Sequence, residues 1–337
     1  MRHTLVLILA LILCGDAASG QEWEDRQRFG AADASTTLHI LSSTDTALFA
    51  PVLAAFVAGR DSVAIEYFVA GTADLNSIFR QSPNAYDVVI SSAMDLQFKL
   101  ANDGFAQPME MLGYPDWAHW RHTLFGFTSE PAAIVLNRQA FDGRDVPQTR
   151  QAVIRVLRES PDQFRGRVGT YDVRQSGLGY LFATQDARTS ETYWRLMEVM
   201  GNLEVQLYCC SGAMIEDVAA GKILLAYNVL GSYAAAREDL AHQLEIVFPS
   251  DFQTIMMRTA LISAQTANPE VSREFMRHLL GASTKPVPGS RALLPILELD
   301  GDAAGQAMIE LSPALLTYLD ALKSRGFLAE WVNAMIQ

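Results

Sequence analysis

Positive charge, cysteine, histidine and long apolar runs are all scarce here, and each shortage removes a class of function. Lysine and arginine total 26 against 38 aspartates and glutamates, a formal net charge of −12. No basic cluster offers the footprint that nucleic-acid binding requires, so nucleic acid is not an expected partner. Only six histidines occur, and none falls in a motif with a nucleophilic serine or cysteine. His119 and His122 in DWAHWRH have no third ligand nearby and read as a partly buried helix face. Ser211 in CCSGA lacks the leading glycine of a GxSxG elbow. An enzyme is therefore not expected, a secreted hydrolase acting through Ser211 ranks last among the readings, and no metal or cofactor is expected.

Beyond residue 20 no apolar run reaches the ~20 residues that cross a bilayer. The opening MRHTLVLILALILCGDAASG has Arg2 and His3, an apolar run from Leu5 to Leu13, then small residues ending at Gly20. That is the plan of an export signal cleaved near Gly20. Anchoring as a lipoprotein through Cys14 is the second reading, because Leu13 stands where such signals want a small residue. Cleavage leaves two of the three cysteines, Cys209 and Cys210. A long-range disulfide within the chain is then impossible, and joining two neighbours whose Cα atoms are ~3.8 Å apart closes a strained ring. The pair is expected to be buried as small hydrophobes; a soft-metal dithiol is the alternative.

About 317 residues remain, enough for two domains at ~100–200 residues each. After the lead GQEWEDRQRFGAADAS, which reads as disordered, strands alternate with helices: TTLHILSS and TALFAPVLAAFVAGR, SVAIEYFVAG and TADLNSIFRQ, then YDVVISSAMDLQFKLANDG. Such alternation predicts an α/β fold with a doubly wound sheet. The extended segment from Thr128 to Asn137 carries Pro131 and suits an edge or crossing segment. Further strand and helix patterns follow, and the chain ends in helical PEVSREFMRHLLG and SPALLTYLDALKSRGFLAEWVNAMIQ. This order predicts two lobes, residues 37–128 with 234–337 and residues 129–233, joined by crossing segments near 128–137 and 222–233 that act as a hinge. A cleft between lobes is the default place for a small ligand.

Short serine, threonine and glycine turns stand where helices begin: Ser43-Thr44, Ser91-Ser92, Ser176-Gly177 and Ser211-Gly212. A helix start offers unpaired N–H groups and the positive end of the helix dipole, which suits phosphate or carboxylate. Each turn alone is an ordinary N-cap; four of them at strand ends facing one cleft point to an anion site. Arg174 is added as a basic partner able to make paired hydrogen bonds, and Arg258 is weighed but reads as a surface residue. Tyr227 and Asn228 lie on the returning segment, within reach of both lobes. Ser211, not the cysteines, is expected to touch ligand, together with Ser43, Thr44 and Ser176.

The ordered set LHILSSTDTALFAPVLAAF, YDVVISSAMDLQFKLANDGF, EPAAIVLNR, SGAMIEDVAAGKILLAYN and RTALISAQTANPEVSREFMRHLLG resembles the extracellular solute-binding proteins of ABC importers. The similar branch contains the ferric-iron-binding and hexose-phosphate-binding periplasmic proteins. The resemblance implies the two-lobed periplasmic binding protein fold of type II, a periplasmic location, and capture of a small solute for an ABC permease or, alternatively, a sensor kinase; the serine turns point to an anionic or polyhydroxylated solute, and a monomer is expected. Iron-binding members of that branch use adjacent tyrosines near the second crossing segment. Here Tyr227 and Tyr233 stand apart, which argues against ferric iron.

Overall fold

The computed structural model describes residues 23–284 and 308–336, so the expected export signal and its cleavage point lie outside the described residues. Two sheets are built in chain order. The first is formed by β1 (Asp25–Gly30), β2 (Thr36–Ser42), β3 (Val63–Val69), β4 (Val88–Ser91), β5 (His119–Trp120), β6 (Leu124–Gly126) and, much later, β13 (Thr259–Ile262). The second contains β7 (Glu130–Asn137), β8 (Val168–Tyr171), β9 (Gln206–Tyr208), β10 (Leu225–Leu230), β11 (Leu244–Val247) and β12 (Ile255–Met256).

In the first sheet the order is β1-β3-β2-β4-β13-β6-β5, with β3, β2 and β4 parallel and both β1 and β13 antiparallel to their neighbours. The helices α1 (Thr46–Val57), α2 (Thr72–Gln81) and α3 (Met94–Asn102) each follow a strand of the parallel core, and α10 (Pro269–Thr284) follows β13. In the second sheet the order is β11-β7-β10-β8-β9. Here α4 (Arg150–Glu159), α5 (Pro161–Phe164), α6 (Gly177–Thr189), α7 (Thr192–Asn202), α8 (Ser211–Ala219) and α9 (Gly231–Ala236) complete the lobe. The α/β expectation and the two lobes hold.

Several boundaries differ from the sequence expectation, each for a physical reason. The lead expected to be disordered forms β1, an edge strand antiparallel to β3. Its charged letters belong to an edge, where Arg26 and Arg28 pair with Glu66 across the ladder. The chain does not leave the second lobe at 222–233: β11 and β12 still pair with β7, and the return to the first sheet comes between Met256 and Thr259. β7 is a central strand, since Pro131 sits at its second residue and leaves most of the ladder intact. The closing helix α11 (Ala321–Met335) also belongs to the second lobe. Its Phe327, Trp331 and Met335, spaced four apart, share one core cluster with Leu196 and Met200 of α7, and a Cβ on Gly201 would collide with the Ala334 carbonyl. The DWAHWRH segment is a short 3-10 turn and a hairpin, with Arg121 and His122 at positive φ, and not a helix.

A buried ion pair sits where the chain crosses between sheets. Arg258, fully enclosed, donates to both oxygens of Glu130 at the start of β7, at 3.0 and 3.1 Å, and to Thr44 Oγ1 at 2.6 Å. The Thr128 hydroxyl donates to Glu130 at 2.8 Å and accepts from the Arg258 N–H, and Ser232 donates to the other carboxylate oxygen. Arg258 reads from the sequence as a surface residue; it is instead the cation that ties the β6–β7 and β12–β13 crossings and the β2–α1 turn together.

Removing one member of a buried pair strands the other, at ~3–5 kcal/mol. Glu130→Gln is expected to lower unfolding stability by about that amount in urea titration, whereas Arg26→Ala at the exposed edge should cost no more than about 1 kcal/mol. Equal, small losses in both variants would remove the central role of the pair.

Asp95, in the first turn of α3, is buried and forms no ion pair among the described residues. Burial lifts its carboxyl to about 7, against the pull of the Leu96 N–H. The unfolded chain releases that proton near pH 4, so stability should fall as pH rises from about 4 to about 7 and change no further through this group. Asp95→Asn is expected to be more stable than wild type by about 2–4 kcal/mol at pH 8 and to show no such fall, at ~1.4 kcal/mol per unit. Urea midpoints at pH 5 and pH 8 that move in parallel for both proteins would contradict this.

Candidate ligand cleft

Between the lobes lies a cleft of about 390 Å³. Five helix starts converge on it. From the first lobe come Asp45, the N-cap of α1; Gly71, Thr72 and Asp74 at the start of α2; and Ser92, just before α3. From the second come Ser176 before α6 and Ser211 with Gly212 at the start of α8. The cause is topological: a strand ending at the sheet's C-terminal edge hands over to a helix there, so N–H groups and dipole ends gather outside the strand ends. The lobes touch beside the cleft, where the Leu178 N–H donates to Thr72 Oγ1 at 3.2 Å.

Six of the expected site residues line this cleft: Ser43, Ser92, Arg174, Ser176, Ser211 and Gly212. Ser43 Oγ accepts from the Ser92 N–H at 3.2 Å and donates to Ser91 Oγ at 3.3 Å. Ser176 Oγ caps α6 by accepting from the Gly179 N–H at 3.1 Å. Ser211 Oγ meets the Tyr171 hydroxyl at 2.5 Å and accepts from the Leu230 N–H at 3.0 Å. Gly212 is open, with no heavy atom within 4 Å of where a Cβ would stand. Arg174 is half engaged: its guanidinium makes two bonds to Asp172, at 2.8 and 2.7 Å. Burial pushes the Asp172 carboxyl up, and the bonds from Arg174 outweigh it and hold that carboxyl below its usual range.

The other five are placed elsewhere, and the expectation is corrected for each. Thr44 is turned inward, its hydroxyl accepting from Arg258. Ser91 is buried behind Ser43 and accepts from the Ala93 N–H at 3.1 Å. Gly177 is a packing position: a Cβ there would stand 3.0 Å from Leu96 Cδ1 and 3.1 Å from the Thr72 carbonyl, across the lobe boundary. Tyr227 and Asn228 point into the second lobe, where the Tyr227 hydroxyl donates to Asp186 at 2.7 Å and accepts from Arg150 at 2.6 Å, and Asn228 donates to Asp186 at 2.9 Å. The cysteines reverse their expectation as well: Cys209 and Cys210 are exposed and line the cleft.

Sequence reasoning missed Tyr171, Tyr233, Glu24, Asp45 and Asp74 as lining residues. Tyr171 ends β8 and Asp45 precedes α1, so the strand-end rule that selected the serines also reaches these two. Glu24 lies in the lead that reads as disordered. Tyr233 spans the lobes, its hydroxyl accepting from the Asp45 N–H at 3.4 Å. The three carboxylates crowd one end. Glu24 Oε1 and Asp74 Oδ2 stand 3.2 and 3.3 Å from the point where a Gly71 Cβ would be. Burial, then Asp45 and Asp74, raises the Glu24 carboxyl; burial raises Asp45 against the pull of Arg258.

Similarity to solved structures reaches the whole arrangement. A substrate-binding protein of an ABC transporter from Agrobacterium tumefaciens is 31% identical, with 92% of this chain and 98% of that one covered, at a TM-score of 0.82. The chain belongs to the substrate-binding proteins of ABC transporters. Within this family the periplasmic binding protein AfuA of Actinobacillus pleuropneumoniae, solved with exogenous fructose-6-phosphate, shares the fold at 14% identity, 90% and 99% coverage and a TM-score of 0.70. So does iron-bound HitA of Pseudomonas aeruginosa, at 15% identity, 89% and 99% coverage and a TM-score of 0.64. No protein-family model and no curated protein matches the sequence.

Gly212 offers a direct probe of the cleft in this binding protein. Gly212→Phe adds a ring where nothing stands and should abolish solute binding in calorimetry while leaving the unfolding free energy of the ligand-free protein within about 0.5 kcal/mol of wild type, as for a surface change. Retained binding at wild-type strength would place the solute elsewhere.

Proposed function

We propose that the protein, exported to the periplasm with its leader removed near Gly20, captures a small phosphate- or carboxylate-bearing solute between its lobes and presents it, as a monomer, to an ABC permease. The observation that carries this reading is the convergence of five helix starts from both lobes on one cleft. The anionic group would sit against Ser43, Ser92, Ser176, Ser211 and Gly212, with Arg174 at its edge. Glu24, Asp45 and Asp74 oppose a bare anion at the other end and favour a solute that also carries hydroxyl or ammonium groups, since like charges repel most where water is excluded. AfuA with its sugar phosphate supports the compatibility of the shared fold with such a solute.

A sensor role, with lobe closure read by a kinase, uses the same machinery. A two-component signal-transduction protein shares the fold at 16% identity, 74% and 81% coverage and a TM-score of 0.60. Permease and ATPase genes beside this one favour import; a kinase and response regulator favour sensing. No catalytic turnover is expected.

Thermal-shift screening of sugar phosphates, carboxylates and amino-bearing anions should find a stabilising solute, and scattering should show compaction with it. Ser43→Ala and Ser176→Ala are then expected to weaken binding by ~1.5–3 kcal/mol each, roughly ten- to a hundredfold. If calorimetry finds both within about twofold of wild type, these serines only cap helices. Ser211→Ala is a poorer probe, because it also strips partners from Tyr171 and the Leu230 N–H.

A further inference from the structure

Two thiols stand in the cleft wall with no role in the binding scheme above. Cys209 and Cys210 link β9 to α8; both are exposed, both line the cleft, and their sulfurs are 2.9 Å apart. Neither belongs to a hydrophobic core cluster. Among the described residues no set of three or more histidine, cysteine or carboxylate groups is placed to hold a metal ion, which removes the tetrahedral zinc reading. What the site presents is two sulfurs side by side, at one end of an open pocket.

We propose that Cys209 and Cys210 form a dithiol site for trivalent arsenicals. The geometry selects this class. A linear two-coordinate ion such as mercuric ion needs its sulfurs on opposite sides, which adjacent residues on one turn do not provide. A pyramidal three-coordinate centre takes two neighbouring sulfurs and keeps its third position free. The chemistry is a condensation: each S–H gives its proton to one As–OH group, two S–As bonds form, two As–O bonds break and two water molecules leave. Arsenic stays trivalent, so no oxidant or reductant is needed. Neutral thiols suffice as reactants, in keeping with Cys210, whose thiol burial and the Cys209 neighbour push upward from its ordinary value. Arsenous acid is uncharged near neutral pH and meets no repulsion from Glu24, Asp45 and Asp74. The third position of the bound arsenic faces the cleft volume beside Gly212, which no side chain fills.

The test uses the full chain, reduced and freed of reductant, with sodium arsenite as probe and native mass spectrometry as readout. Wild type should carry one arsenic per chain, with the mass of arsenous acid less two water molecules, and should protect both thiols from iodoacetamide until 2,3-dimercaptopropanol is added. Cys209→Ser and Cys210→Ser should each weaken retention at least a hundredfold, and the double variant should carry none. Both positions are exposed, so thermal unfolding should confirm that the variants fold. An absent adduct in wild type, or an adduct kept within threefold by either single variant, overturns the site. The readout needs no solute, so a failed solute screen leaves this result standing and the two readings fail separately.

Discussion

The buried pair between Arg258 and Glu130 is the constraint on which the rest of the arrangement hangs. Each would be prohibitively costly in the interior alone, and together they are satisfied only by the groups around them: Thr44 from the β2–α1 turn, Thr128 ahead of β7, and Ser232 in α9. Those five residues come from both lobes and from two of the stretches of chain that pass between them, 126–130 and 256–259. A hydrophobic cluster at the same place would tolerate sliding. A hydrogen-bonded pair fixes distance and angle, so the two crossings at 126–130 and 256–259 and the β2–α1 turn keep their positions relative to one another. Such specificity from a buried pair is a matter of geometry more than of net stability.

The cleft that results is electrically divided. Helix starts with serine and glycine bring positive dipole ends to the cleft, while Glu24, Asp45 and Asp74 bring the opposite sign to the same lining. Asp45 also stands at the N-cap of α1 and Asp74 in the first turn of α2, where a carboxylate interacts favourably with the dipole. Their placement therefore stabilises the helices while cancelling part of the field an anion would feel. Arg174 restores the balance only in part, because Asp172 takes the Nε–Nη2 edge of its guanidinium. A solute with charge or hydroxyls at two ends uses both halves of such a site; a simple anion uses one.

Much of this was legible in the sequence, and what was not follows one rule. Strand–helix alternation and short hydroxyl turns are local, and they point to the two-lobed α/β fold and to Ser43, Ser92, Ser176, Ser211 and Gly212, which line the cleft. Directions of side chains are not local. Thr44 follows Ser43 directly yet turns to Arg258, which is 214 residues away, and Tyr227 is drawn to Asp186 and Arg150 instead of the cleft. Membership of an edge strand is equally invisible: β1 reads as disorder because its charges pair across to Glu66, and β11 reads as belonging to the other lobe because nothing in LEIV names its partner β7. The cysteines failed for the same reason, since two small sulfur residues carry no pattern that separates a core from a cleft wall.

Closure and selectivity are bound together by where the lobes already meet. Asp45 donates its N–H to the Tyr233 hydroxyl, and Leu178 donates its N–H to Thr72, all four being residues of the cleft lining. Gly177 lets α6 approach Ala93 and Leu96 with no side chain between. These contacts hold the lobes together without a solute, so a solute adds to closure only through contacts that differ between the open and closed forms. Ser176 and Ser211 from one lobe and Ser43 and Ser92 from the other are the groups whose separation changes when the hinge moves. A ligand that reached one set alone would bind both forms equally and shift nothing, whatever its affinity. A solute that touches both sets of helix starts gains from closure, and one that touches a single set does not.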